Sequence, residues 1–171
     1  APATSSSVIF SWDFSQGTLG WQGGFADYPQ GEEDFYELDF GWQPLPANLG
    51  AESALFITGN NHSDDLFMYF RHVITGLTPQ TTYRVTFNVE LASNAPDGSS
   101  GIGGSPANSV YLKAGVTQVE PLAQPQSGSN FLELNVDKGN QSQGGKEAVV
   151  LGDIAKPDDG TFDYAIIRRA A

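Results

Sequence analysis

Period-2 alternation of apolar and polar side chains is the strongest constraint on this chain, and no sustained 3.6-residue periodicity competes with it. In Thr82-Tyr83-Arg84-Val85-Thr86-Phe87-Asn88-Val89-Glu90-Leu91, the odd-numbered residues are all apolar and the even-numbered ones all polar. Successive side chains of a strand point to opposite faces, so such a run buries one face and wets the other. The preceding run, 66–75, alternates less cleanly. Its link to 82–91, Gly76-Leu77-Thr78-Pro79-Gln80-Thr81, carries the Gly and Pro of a tight connection. The two runs read as a hairpin over 66–91. Further strands are expected at 8–14, 35–40, 54–58, 109–117, 131–136, 148–151 and 161–167, with a single helical turn near 44–49. Loops rich in Gly, Pro, Asn and Ser separate them at 15–34, 43–52, 59–65, 93–108, 121–130, 137–146 and 155–160. About nine short strands so spaced predict an all-β fold, a two-sheet antiparallel β-sandwich.

Composition agrees with many strands and many turns. Charged residues are only 16% of the chain, against ~25% in an ordinary soluble domain. Gly (20), Pro (10), Ser, Thr, Asn and Gln take their place. A length of 171 residues suits one domain and buries roughly 70% of the unfolded surface. We read 1–7 as a disordered or processed tail and 8–171 as a single domain. The start, Ala1-Pro2-Ala3-Thr4-Ser5-Ser6-Ser7, resembles the remnant of a processed signal or lipid-anchor segment. The expected location is therefore secreted, periplasmic or anchored at the outer surface. Twenty acidic residues against eight basic ones give a net charge of −12, a field that repels nucleic acid and anionic lipid. Neutral ligands and cations such as Ca²⁺ remain compatible with it. With no Cys, thiol chemistry and Cys-based zinc sites are excluded.

Ten of the 20 aromatic residues lie in the first 42 positions. Phe10, Trp12 and Phe14 share one face of the expected strand 8–14. Trp21, Phe25 and Tyr28 fall instead in the expected loop 15–34. Rings there either plug one end of the sandwich or present flat faces to a sugar, with neighbouring polar groups bonding its hydroxyls. A second candidate surface is the polar face Arg84, Asn88 and Glu90 with Arg71 on the neighbouring strand. The planar donors of Arg beside Asn and Glu acceptors suit a hydroxyl-rich ligand. A solvated sheet face has the same composition.

Asn60-Asn61-His62-Ser63-Asp64-Asp65 gathers oxygen ligands that suit Ca²⁺, with Asp64 and Asp65 as the carboxylates. Its His suits a transition metal instead, and Asn and Asp are also ordinary turn residues. The Gly-rich run 97–106 has no P-loop Lys. Catalysis, as in a small polysaccharide-degrading enzyme, has thin support: only His62 and His72 are available to a nucleophile–His–acid triad, and of the carboxylates Glu32, Glu33, Asp34 and Glu37 that could pair for glycoside hydrolysis, Glu32-Glu33-Asp34 reads as a solvated loop before Phe35.

Two stretches resemble the jelly-roll carbohydrate-binding modules and their galactose-binding-like relatives, which are common in exported bacterial proteins and lipoproteins. Trp12-Asp13-Phe14-Ser15-Gln16-Gly17-Thr18-Leu19-Gly20-Trp21 is similar to their opening strand. The stretch 72–87, with Leu77-Thr78-Pro79 leading into the Tyr83 strand, is similar to their central hairpin. The resemblance implies a non-catalytic carbohydrate-binding module with a structural Ca²⁺ bridging its first and last strands, held here by Asp13 and Asp163. The chain departs from the pattern at its end, where Ile166-Ile167-Arg168-Arg169 stands in place of an acidic closing strand. If 161–167 does not close the sandwich, an open sheet edge invites pairing between chains or with a protein partner.

Overall fold

Two adjacent glycines let two aromatic rings close on one strand. A Cβ on Gly23 would lie 2.3 Å from the Phe40 ring, and one on Gly24 would lie 2.6 Å from the Tyr69 ring. Bare backbone at these positions lets an aromatic ring rest on each face of the same strand. In the computed structural model, which describes residues 7–171, this strand is β1 (Gln22–Ala26). The described residues form eleven strands, all paired antiparallel, with two short 3₁₀ turns at Phe14–Gln16 and Ala47–Leu49. The chain is therefore all-β and sandwich-like, its strands distributed over several small ladders that stack on one another.

After β1 come β2 (Tyr28–Pro29), β3 (Asp39–Pro44), β4 (Ser53–Thr58), β5 (Phe67–Arg71) and β6 (Asn88–Ser93). They are followed by β7 (Tyr111–Gly115), β8 (Ala123–Pro125), β9 (Phe131–Leu134), β10 (Ala148–Asp153) and β11 (Ala165–Ala170). The ladders are β1–β5, β3–β4, β2–β9–β8, β7–β10 and β6–β11. Between β1 and β2 the chain changes ladder at Asp27, a buried residue with a left-handed backbone (φ 63°). Its carboxylate meets Lys138 at 2.6 Å, and its amide donates to Leu132 O of β9.

Two cores result. The first is apolar: Tyr28, Tyr36 and Leu132, with Phe25, Leu38, Leu66 and Ala123 packed around them. The second lies between β6–β11 and β7–β10, where buried Leu151, Ala155 and Ile167 surround a polar knot. There Arg169 lies over Gly152, where a Cβ would come within 2.8 Å of its Cδ. A register shift in β10 puts that glycine in place. Arg169 donates to Asp153 O (2.8 Å), Asp153 Oδ1 (3.1 Å) and Ala155 O (2.8 Å). Asn108 ties Asp153 to Asp97 through its amide, at 3.1 and 2.8 Å. Lys156, 1% exposed, donates to Asp159 Oδ1 at 2.5 Å.

Several expected elements are displaced. The hairpin over 66–91 does not form: β5 pairs with β1, and β6 pairs with β11. Alternation marked both runs as strand-forming but carries no information about partners. Only the end of the run 82–91 is paired, because β6 begins at Asn88. Residues 8–14 are not a strand; Asp13 caps the turn at Phe14 by accepting from the Ser15 amide at 2.9 Å. The expected loops 15–34 and 121–130 contain β1, β2 and β8. The closing strand is shifted to Ala165–Ala170 and includes both arginines. The expected tail, 1–7, lies outside the described residues except for Ser7.

Candidate functional site

All three tryptophans of the chain gather around Phe14. Trp42 of β3 donates from Nε1 to Phe14 O at 2.6 Å. Trp21, which enters β1, meets Phe14 edge-on with ring centroids 5.9 Å apart, and Trp12 edge-on at 5.1 Å. His72, just past β5, stacks on Trp21 at 5.4 Å with 15° between the planes, and meets Trp12 edge-on at the same distance. Phe10 stacks on Trp12 at 6.0 Å. The β1–β5 pairing creates this group, because Gln22 sits opposite Arg71 and so brings Trp21 beside His72.

Two nitrogens in the group stand out. Trp21 Nε1 and His72 Nδ1 are shielded from solvent, and neither has a hydrogen-bond partner among the described residues. Leaving such an atom unpaired costs about 1–3 kcal/mol, so folding alone does not account for two of them side by side. A cleft of about 310 Å³ is lined by Ile9, Phe10, Ser11, Trp12 and His72 to Thr75; Trp21 lies behind Trp12 and His72 and is not part of the lining. Among the described residues, 7–13 make no backbone–backbone hydrogen bond, so aromatic contacts hold this strap over the nitrogens. The exposed lining of the cleft is more polar than apolar, the Ser11 and Thr75 hydroxyls and the His72 imidazole lying beside the Phe10 and Trp12 rings, a mixture that can bond a neutral ligand.

The expected candidate residues divide among different places. Trp21 belongs to this cluster. Phe25 lies in β1 against Phe40 and beside the apolar core. Tyr28, 5% exposed, is in that core, where its hydroxyl donates to Glu33 at 3.1 Å. Burial, then the Glu33 charge, pushes the Tyr28 hydroxyl up to about 12. Tyr28 is thus a core residue and not a platform for a ligand.

Arg71 is engaged by Gln22, Glu120 and Pro121 O. It does not join Arg84, Asn88 and Glu90, since β5 and β6 belong to different ladders. Asn88 and Glu90 lie on the exposed face of β6, where Glu90 pairs with Arg168, and Arg84 is exposed before that strand.

The residues proposed for calcium are likewise separate. Asp13 commits a carboxylate oxygen to its cap, and Asp163 lies before β11, so neither is on a strand. Asp64 and Asp65 both accept from the Gln141 amide, at 3.5 and 3.0 Å. Among the described residues, no three His, Asp or Glu side chains converge as a metal-holding group. Asp13 and Asp163, which the resemblance placed on the first and last strands, both lie outside the eleven strands, and Asp64 and Asp65 remain neighbours in their loop. No described helix is long and apolar enough to cross a membrane.

Sequence reading passed over the contribution of His72 and Trp42. Gly20-Trp21 leading into a β-strand held the signal, since a Trp at a strand start needs a partner for its N–H. No family model matches the chain, and no curated protein or solved structure is similar to it.

Proposed function

We propose that this chain is an exported, non-catalytic binding domain for a neutral, hydroxyl-rich ligand, with carbohydrate as the ligand class. The observation that supports the reading is the cleft lined by Phe10, Trp12 and His72, with the buried nitrogens Trp21 Nε1 and His72 Nδ1, unpaired among the described residues, in the same aromatic cluster. Ring faces offer dispersion contact to the C–H side of a sugar. The indole N–H is a donor, and an unprotonated Nδ1 accepts a hydroxyl proton. Ligand access to both requires the strap 7–13 to move aside. The excess of acidic groups favours a ligand without negative charge. Structural calcium belongs to the same proposal as an expectation from the family resemblance, separate from the cleft.

A glycan array followed by calorimetric titration with the sugars that bind tests the reading. Trp12→Ala and Trp21→Ala should each weaken binding at least tenfold. An array blank both with and without Ca²⁺ removes the proposal. EDTA should lower the melting temperature by several degrees, and an unchanged value removes calcium from the account.

A further inference from the structure

Of the nine Asn residues, two have Ser two places on with a residue other than Pro between: Asn61-His62-Ser63 and Asn140-Gln141-Ser142. This is the acceptor pattern for N-linked glycosylation, and its use in a folded protein requires a surface loop. Three-residue patterns also arise by chance, so the surroundings of each decide whether a transferase can use it. The two lie in neighbouring loops, since the Gln141 amide donates to Asp65 and Asp64 at 3.0 and 3.5 Å. The fold treats them differently.

The first pattern is closed. Asn61 Oδ1 accepts from the Ser63 and Leu66 amides at 3.2 and 3.3 Å. The Ser63 hydroxyl donates to Asp27 O at 2.7 Å, and Asp27 is itself buried. His62 stacks on Phe35 at 4.1 Å, and Leu66 packs against the apolar core. An enzyme that takes hold of Asn61 and Ser63 has to break these contacts. The second pattern is open. Asn140, Gln141 and Ser142 are all exposed, and of the three side chains only Gln141 is hydrogen-bonded among the described residues. One backbone bond closes the turn, from the Gln143 amide to Asn140 O at 2.8 Å. The base of the loop is fixed. Lys113 Nζ donates to Lys138 O and Gln143 O, both at 2.9 Å, and Asp137 accepts from the Gly139 and Lys146 amides, both at 3.0 Å. The tip thus stays at the surface while its base is anchored.

We propose that Asn140 is an N-glycosylation acceptor of the folded chain and that Asn61 is not. The donor class is an oligosaccharide carried on a polyprenyl pyrophosphate. Asn140 Nδ2 forms the bond to the anomeric carbon as the C–O bond to pyrophosphate breaks. The lipid pyrophosphate leaves with the electron pair, and Nδ2 releases one proton. Use of the site in a cell rests on the exported reading, because transfer from such donors occurs beyond the cytoplasm. The choice between the two asparagines rests on the fold alone.

Incubating the full folded chain with an oligosaccharyltransferase and its lipid-linked oligosaccharide tests the site whatever the location of the protein. Cleavage after Lys and Arg puts Asn61 on 1–71 and Asn140 on 139–146, so mass spectrometry reads each separately. The fragment 139–146 should gain one glycan at least tenfold faster than 1–71. Free peptides spanning 58–66 and 137–145 carry the same patterns without the fold, and should be modified at similar rates. Asn140→Gln and Ser142→Ala should each abolish modification of the folded chain and keep the wild-type circular dichroism. Equal rates at the two sites of the folded chain overturn the proposal. So does modification at Asn61 alone, or an unmodified Asn140 in a chain whose free 137–145 peptide is modified.

Discussion

Polar atoms are buried at both the knot around Arg169 and the aromatic cluster around Trp21, and the two places treat them in opposite ways. In the knot, Arg169, Asp153, Asn108 and Lys156 each have partners on the backbone or on one another. In the cluster, Trp21 Nε1 and His72 Nδ1 have none among the described residues. A satisfied network rigidifies the fold around it, whereas an unsatisfied pair lowers stability unless something else meets it. Under the proposed function, the difference gives a structural task to one region and a binding task to the other. Substitutions in the knot should therefore change stability, and substitutions in the cluster should change binding.

The largest expected effect is in the knot. Arg169→Met takes the charged donor from Asp153, which keeps Asn108 and the Ala155 amide, and leaves the Asp153 and Ala155 carbonyls without their Arg169 bonds; it should cost about 2–3 kcal/mol in urea unfolding. That is below the usual cost of breaking a buried pair, because both side chains retain about a quarter of their exposure. A cost under about half a kcal/mol would abolish the contrast between the regions.

Acid should act on the knot next. Burial opposes ionisation of Asp153, but the Ala155 amide, Asn108 and Arg169 outweigh it and hold its pKa below the ordinary value. Hydrogen bonds from Lys156 and Thr161 hold Asp159 at about 2. A carboxyl whose folded pKa is depressed contributes stability above its unfolded pKa, and that contribution is lost as pH falls toward the folded one. Stability should therefore decline from about pH 4 toward pH 2, and the decline should be shallower in Asp159→Asn. Identical pH profiles for the two proteins would show that Asp159 contributes nothing to acid sensitivity.

His72→Leu should leave stability within about 1 kcal/mol of wild type, since loss of packing is offset by removal of an unpaired nitrogen. A loss as large as that of Arg169→Met would make the cluster a second structural core. Smallest of all, Glu90→Ala on the exposed face of β6 should cost no more than about 0.5 kcal/mol, its partner Arg168 being well exposed.

The sequence makes these regions legible to different degrees. Alternation in Val89 and Leu91 identified an all-β chain, and those residues do turn inward on β6. Partners were not legible, because periodicity fixes the face of a residue and not the strand beside it. β1 was hidden by Gly23 and Gly24, which look like a loop until Phe40 and Tyr69 are seen lying on them. Arg169 left a readable trace, being in phase with inward Ala165 and Ile167, so that its guanidinium had to be buried or paired. The cluster was half visible: Trp21 was singled out, but the pairing that brings His72 beside it spans some fifty residues of sequence.

The division of labour is tested most directly by Trp21→Phe, measured for thermal melting and for sugar affinity on the same sample. The substitution keeps an aromatic ring and removes the unpaired N–H. The account predicts a melting temperature equal to or above that of the wild-type chain, with affinity at least tenfold weaker. A variant that melts several degrees lower and binds as tightly as wild type would contradict it.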